Sequence, residues 1–126
     1  MADLRFEELS CRVIGCAIEV HRGLGPGLFE SSYEQCLAHE LTLAGISFKV
    51  QKNIPVLYKG VKLNCGYRAD FLIEDALLVE LKSVEQLIPV HQAQLLTYMR
   101  HARVGVGLLI NFNVTVLKHG IKRYVL

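Results

Sequence analysis

Two stretches of the chain carry charged groups where an apolar strand would be expected. Gly66-Tyr67-Arg68-Ala69-Asp70 leads into one apolar run, and Val79-Glu80-Leu81-Lys82 ends another. Charged side chains are depleted in strands and are almost never fully buried unless paired. Because strand side chains alternate, Glu80 and Lys82 share one face while Leu81 points into the core. A turn at Glu74-Asp75 would fold the two strands antiparallel and bring Asp70 beside Glu80 at one end of a sheet. Two carboxylates and an amine at one spot suit phosphodiester hydrolysis. Magnesium prefers oxygen ligands and is usually held by one or two carboxylates together with substrate phosphate. The ion polarises the phosphate and lowers the pKa of a bound water. A lysine beside it orients that water or offsets developing negative charge. Taken alone, the triplet reads more plainly as a cross-strand ion pair of Lys82 with Asp70 or Glu80.

Two further groups bear on that choice. Gln94 and Tyr98 stand four apart on a helical pattern and share a face, with His91 one turn earlier. They lie directly after the Glu80-Lys82 strand, where they could contact a phosphate or steady Lys82. Gly27-Leu-Phe-Glu30-Ser-Ser-Tyr33 opens another helix, and its dipole favours a carboxylate such as Glu30 in the first turn. Glu30 is either plain charge matching at a helix end or a third carboxylate aimed at a metal.

The elements that must position these groups follow from periodicity. Leu4, Leu9, Val13, Ala17 and Val20 recur at helical spacing over residues 4–21, and Gly23-Leu-Gly-Pro-Gly27 ends the helix. A second helix spans residues 28–44, with Gly45 as its stop. Strands are predicted at Ser47–Val50 and Ile54–Tyr58, turning at Lys59-Gly60 into Val61–Asn64. Tyr67–Glu74 and Ala76–Lys82 follow, the former either a separate strand or a continuation of the one before it. Pro89 suits a first helical turn, so Val90–Ala102 reads as a third helix. Val104–Ile110 is a continuous apolar run, as in a fully buried strand. Val114–Lys118 and Ile121–Leu126 would close the chain as a hairpin through His119-Gly120. The order predicts an α/β (α+β) fold, a mixed central sheet flanked by helices, in a single domain over residues 1–126.

Composition narrows the classes. The 126 residues are 52% hydrophobic and 21% charged, which excludes intrinsic disorder. No apolar run reaches the ~20 residues of a membrane span, and the first ten residues lack a signal peptide's apolar stretch. A cytoplasmic protein is expected. The net charge of +2 is too small to imply nucleic-acid binding, but it is unevenly spread. Residues 1–40 hold seven acids against three bases; residues 41–126 hold five against eleven. Those five acids all fall between Asp70 and Glu85, flanked on both sides by basic segments, as an acidic metal centre in a positive rim would be. The four cysteines form no C-x-x-C pair and are expected to be reduced and mostly buried.

Together these residues resemble the PD-(D/E)XK nuclease superfamily, and within it the small bacterial proteins named for a GxxExxY motif. Gly27, Glu30 and Tyr33 match that motif, Asp70 the metal-binding acid, Glu80 and Lys82 the E-x-K element. Gln94 and Tyr98 match the Q-x-x-x-Y helix of the RecB-like branch. Arg68-Ala69 stands where the pattern has a proline before the acid. The resemblance implies a restriction-endonuclease-like core and a Mg2+- or Mn2+-dependent nuclease site. By it, Glu30, Asp70, Glu80 and the Leu81 carbonyl would bind metal, and Lys82 would assist the attacking water. Gln94 would act in the catalytic set, and Tyr33, His91, Tyr98 and Arg68 would support the site or the substrate. The implied partner is nucleic acid, most readily DNA, and a homodimer could set two sites on opposite strands. Two other readings stand beside a nuclease: a catalytically silent module on the same fold that binds nucleic acid or a protein, and a structural domain with no ligand.

Overall fold

The computed structural model describes residues 4–126, with side chains from Glu7 onward. The side chains of Asp3, Leu4 and Arg5, which entered the charge and helix patterns above, lie outside the described residues. Helices α1 (Leu4–Leu24) and α2 (Glu30–Leu43) precede strands β1 (Phe48–Tyr58), β2 (Val61–Ile73) and β3 (Leu77–Lys82). Helix α3 (Pro89–Ala102), β4 (Val106–Asn111), a 3-10 turn (Leu117–Gly120) and β5 (Ile121–Val125) follow. The five strands lie in the order β1-β2-β3-β4-β5. All neighbours are antiparallel except β3 and β4, which are parallel and joined through α3. This is the expected α+β architecture with a mixed sheet.

Apolar spacing explains the layers. Val13, Ala17 and Val20 of α1 and Tyr33, Leu37 and Leu41 of α2 are buried, and they pack on Phe71, Val79, Leu81, Leu108 and Ile110 of the sheet. On the other face, Leu95 and Met99 of α3 pack on Ile54, Ala69, Leu72, Leu78 and Leu109. Strands β3 and β4 are thus covered on both sides, so β4 and the first half of β3 read as apolar runs, which Glu80 and Lys82 interrupt at the end of β3. Among the described residues, no helix is long and apolar enough to cross a membrane.

In β1 and β2, residues of equal parity change layers. Phe48 packs beneath α1 and α2, whereas Ile54 lies beneath α3. On β2, Phe71 and Ile73 belong to the first layer, and Ala69 and Tyr67 to the second. Strict alternation would keep each set on one face. The switch therefore falls between Val50 and Lys52 on β1 and between Ala69 and Phe71 on β2. Gln51 stands at that point with a left-handed φ of 49°.

Three expectations need correction. The gap between Ser47–Val50 and Ile54–Tyr58 is no loop: β1 is one strand, and Gln51 is the irregularity that interrupts its pattern. The final hairpin does not form. Val114 is drawn towards α1 by a 2.8 Å hydrogen bond between its carbonyl and Nε2 of His21, and Leu117 is buried in the core. Residues 117–120 coil into a 3-10 turn, and β5 pairs with β4 instead. Finally, although all four thiols are free, only Cys16 is buried; Cys36 is half-buried, and Cys11 and Cys65 are exposed.

Two glycines should respond with opposite sign. The β1–β2 register slips between Ile54 and Val56, and a Cβ on Gly66 would collide with the Ile54 carbonyl. Gly15 sits on the exposed face of α1 with open space around it. Gly66→Ala should cost about 1–3 kcal/mol through overpacking. Gly15→Ala should add about 0.8–1 kcal/mol through helix propensity. Urea denaturation of both variants checks the pair; a stable Gly66→Ala would refute the tight crossing.

Candidate active site

The ladder between β2 and β3 ends at Phe71–Val79. The next pair would be Asp70 and Glu80, and here side chains replace the ladder. The Asp70 backbone N–H donates to Oε1 of Glu80 at 3.1 Å, and the Leu81 N–H donates to Oδ2 of Asp70 at 2.7 Å. Each carboxylate thus satisfies a backbone donor that the diverging strands would leave unpaired. The two acids are fixed side by side where the sheet splays. A strand residue directs its N–H and C=O to the same side, so the Leu81 carbonyl faces this opening as well.

Glu80 is buried, and its pKa is pushed up from 4.5 to about 8. Burial is the largest cause and the Asp70 charge adds to it; the backbone hydrogen bond and the Lys82 ammonium act in the opposite sense. Tyr67 and Tyr98 stack face to face near this acid. Both phenols are raised, first by burial and next by the Glu80 charge. Among the described residues the buried Tyr67 hydroxyl finds no hydrogen-bond partner. Lys82 is half-buried and shares the strand face of Glu80. Its carbonyl accepts from the Phe112 N–H at 2.9 Å, which fixes the strand end beside β4.

The glycine-rich loop before α2 is held by Tyr33. The fully buried phenol donates to the Gly25 carbonyl at 2.7 Å, accepts from the Leu28 N–H at 3.1 Å, and stacks on Phe112 with centroids 4.4 Å apart. Such an aromatic pair is worth roughly 0.5–1.5 kcal/mol beyond its buried area. Ser83, one residue past Lys82, donates its hydroxyl to the Leu28 carbonyl at 2.6 Å. These bonds bring the start of α2, and with it exposed Glu30, towards the end of β3. Glu34 lies one turn later on the same helix face. Gln51 links it to the acids: its amide donates to Oε2 of Glu34 at 2.8 Å and to Oδ1 of Asp70 at 3.2 Å. Glu34 is raised by burial and by the Asp70 charge, against the hydrogen bond from Gln51.

The remaining expected residues are less closely joined. Gln94 is exposed on α3, one turn before Tyr98. His91 caps α3, its Nδ1 accepting from the Ile88 N–H at 3.1 Å. Arg68 is exposed on β2, facing Asn53 in the register. Gln51, Glu34, Ser83 and Tyr67 were not anticipated. Of these only Glu34 had a sequence signal, its i,i+4 spacing from Glu30. Buried Asn111 was missed too: it exchanges hydrogen bonds with both the N–H and the carbonyl of Val84, at 3.1 and 2.9 Å, and so ties down the loop after Lys82.

The grouped donors are all oxygens, which suits a hard divalent cation. They form a pair of carboxylates: among the described residues, no group of three or more His, Cys, Asp or Glu stands ready to hold a metal ion. Comparison with known proteins agrees with the chemistry. A sequence model of the PD-(D/E)XK nuclease superfamily matches residues 7–124. Searches of curated proteins and of solved structures returned no match.

The raised Glu80 carboxyl makes stability depend on pH. Between about 4.5 and about 8 the folded protein retains a proton that the unfolded chain has lost. Stability from this group is therefore complete below 4.5 and falls as pH climbs towards 8. Thermal unfolding of the metal-free protein from pH 5 to 8.5 should show the decline, and Glu80→Gln should flatten it. Parallel slopes for the two proteins would show that Glu80 is not held this way.

Proposed function

The chain belongs to the PD-(D/E)XK nuclease superfamily, and we propose that it is a divalent-metal-dependent nuclease acting on DNA through Asp70, Glu80 and Lys82. The observation that carries this reading is the pair of carboxylates fixed at the β2–β3 opening, with an amine on the face of one of them. Asp70, Glu80 and the Leu81 carbonyl would hold Mg2+ or Mn2+, and Glu30, at the rim, would reach it through a water. When bound, the cation supplies the charge that polarises the scissile phosphate and acidifies an attacking water. A cation there would also offset the burial and the Asp70 charge that raise the Glu80 carboxyl when the site is metal-free. Lys82 would orient the attacking water and offset charge on the phosphate. Tyr33 acts through the loop that carries Glu30. Tyr98 and Gln94 would flank the substrate, His91 would hold the start of their helix, and Arg68 would meet the flanking backbone.

A second feature supports a polyanionic substrate. A cleft between β1 and the end of α3 is lined by Lys52, Lys62, His101 and Arg103, with no acidic residue in its wall among the described residues. Lys52 follows directly on Gln51, so this basic surface begins beside the acids.

Purified protein should cut DNA with Mg2+ or Mn2+ and not in EDTA. Glu80→Ala should abolish cleavage, and Lys82→Ala should reduce it by about 10²–10³-fold, with folding retained by circular dichroism. Lys52→Ala with Lys62→Ala should weaken DNA binding in Ca2+ and flatten its salt dependence. A wild type that cuts neither DNA nor RNA with either ion overturns the reading. If such a protein still binds nucleic acid in EDTA, it is a nuclease-fold module that grips without cutting.

A further inference from the structure

Gln51 has a backbone conformation that its residue type disfavours and a side chain spanning two elements. Its φ of 49° lies in the left-handed region, where a side chain on Cβ is strained. The register pairing Val50 with Phe71 and Lys52 with Ala69 sets Gln51 directly opposite Asp70. This is also the point where β1 and β2 pass from one layer of the core to the other. The left-handed turn sends the Gln51 amide along the sheet towards α2, where it donates at once to Glu34 and Asp70. Asp70 then has both oxygens engaged, Oδ2 by the Leu81 N–H and Oδ1 by Gln51. A carboxylate held at both oxygens has one orientation, and one neutral donor keeps two acids on neighbouring elements at a fixed spacing.

From this geometry we infer that Gln51 is a positioning residue, which aims the Asp70 carboxylate and ties it to α2. The strained backbone is the cost of directing the amide there. This inference builds on the proposed metal-dependent site, but its test includes a reading that needs no metal. Gln51→Gly removes the amide and suits the left-handed backbone. Gln51→Asn keeps an amide and tolerates the same backbone, but is one methylene too short to span both acids.

In both variants the unfolding midpoint should not fall. Hydrogen exchange at the Leu81 amide, which Asp70 caps, should accelerate by about tenfold while exchange elsewhere in β3 and β4 stays unchanged. The dissociation constant for Mn2+, measured by calorimetry, should rise by about tenfold, as for other residues that orient metal ligands. If Leu81 exchange and Mn2+ affinity both stay at wild-type values, the inference is overturned. It is equally overturned if exchange rises throughout the sheet with a lowered midpoint, because Gln51 would then serve only to hold the strand. If wild type takes up no Mn2+ but Leu81 exchange still rises selectively in Gln51→Gly, the metal site fails and the positioning role stands.

Discussion

The structure depends on an exchange of hydrogen bonds at the point where β2 parts from β3. Two backbone N–H groups without a ladder partner there, those of Asp70 and Leu81, are taken by the side chains of Glu80 and Asp70. A buried amide without a partner costs roughly 1–3 kcal/mol, and the carboxylate oxygens at these positions offset that cost. The folding requirement and the proposed chemistry thus fall on the same residues. Burial, and after it the neighbouring Asp70 charge, pushes the Glu80 carboxyl up to about 8.

Everything around this point serves to hold it. Strands β3 and β4, buried on both faces, form a rigid platform, and Phe112 and Asn111 at the end of β4 fix Lys82 and the loop after it. Tyr33 gathers the glycine-rich turn through three contacts, so that the first turn of α2 is presented as a fixed edge. On the opposite layer Tyr67 and Tyr98 stack on each other, close enough to Glu80 for its charge to raise both phenols. The superfamily match over residues 7–124 takes in nearly all of these parts, both helical layers and every strand.

Much of this was legible in the sequence because it rests on local pattern. Helical spacing gives the three helices, alternation places Glu80 and Lys82 on one face, and the Glu74-Asp75 turn brings Asp70 to Glu80. What was not legible depends on contacts between distant segments. Gln51 falls where the strand pattern fails, and such a gap looks like a loop until its partner across the sheet is known. The match of Tyr33 to a motif gave no sign that its hydroxyl would be spent on the backbone of its own loop. The final hairpin was misread because Val114–Lys118 has strand-like composition, while buried Leu117 and the His21 contact, which bend it, lie in the tertiary structure.

Strand β1 runs along the open border of the sheet for eleven residues. A straight border of that length is a template on which another chain can add by main-chain pairing. Here the run is broken twice, by the left-handed Gln51 and by Pro55, which has no N–H to offer. Lys49, Lys52 and Lys59 add like charge along the same margin. The kink that turns a carboxylate towards its neighbour therefore also shields the molecule against edge-to-edge polymerisation, so a variant that straightens β1 would lose solubility as well as geometry.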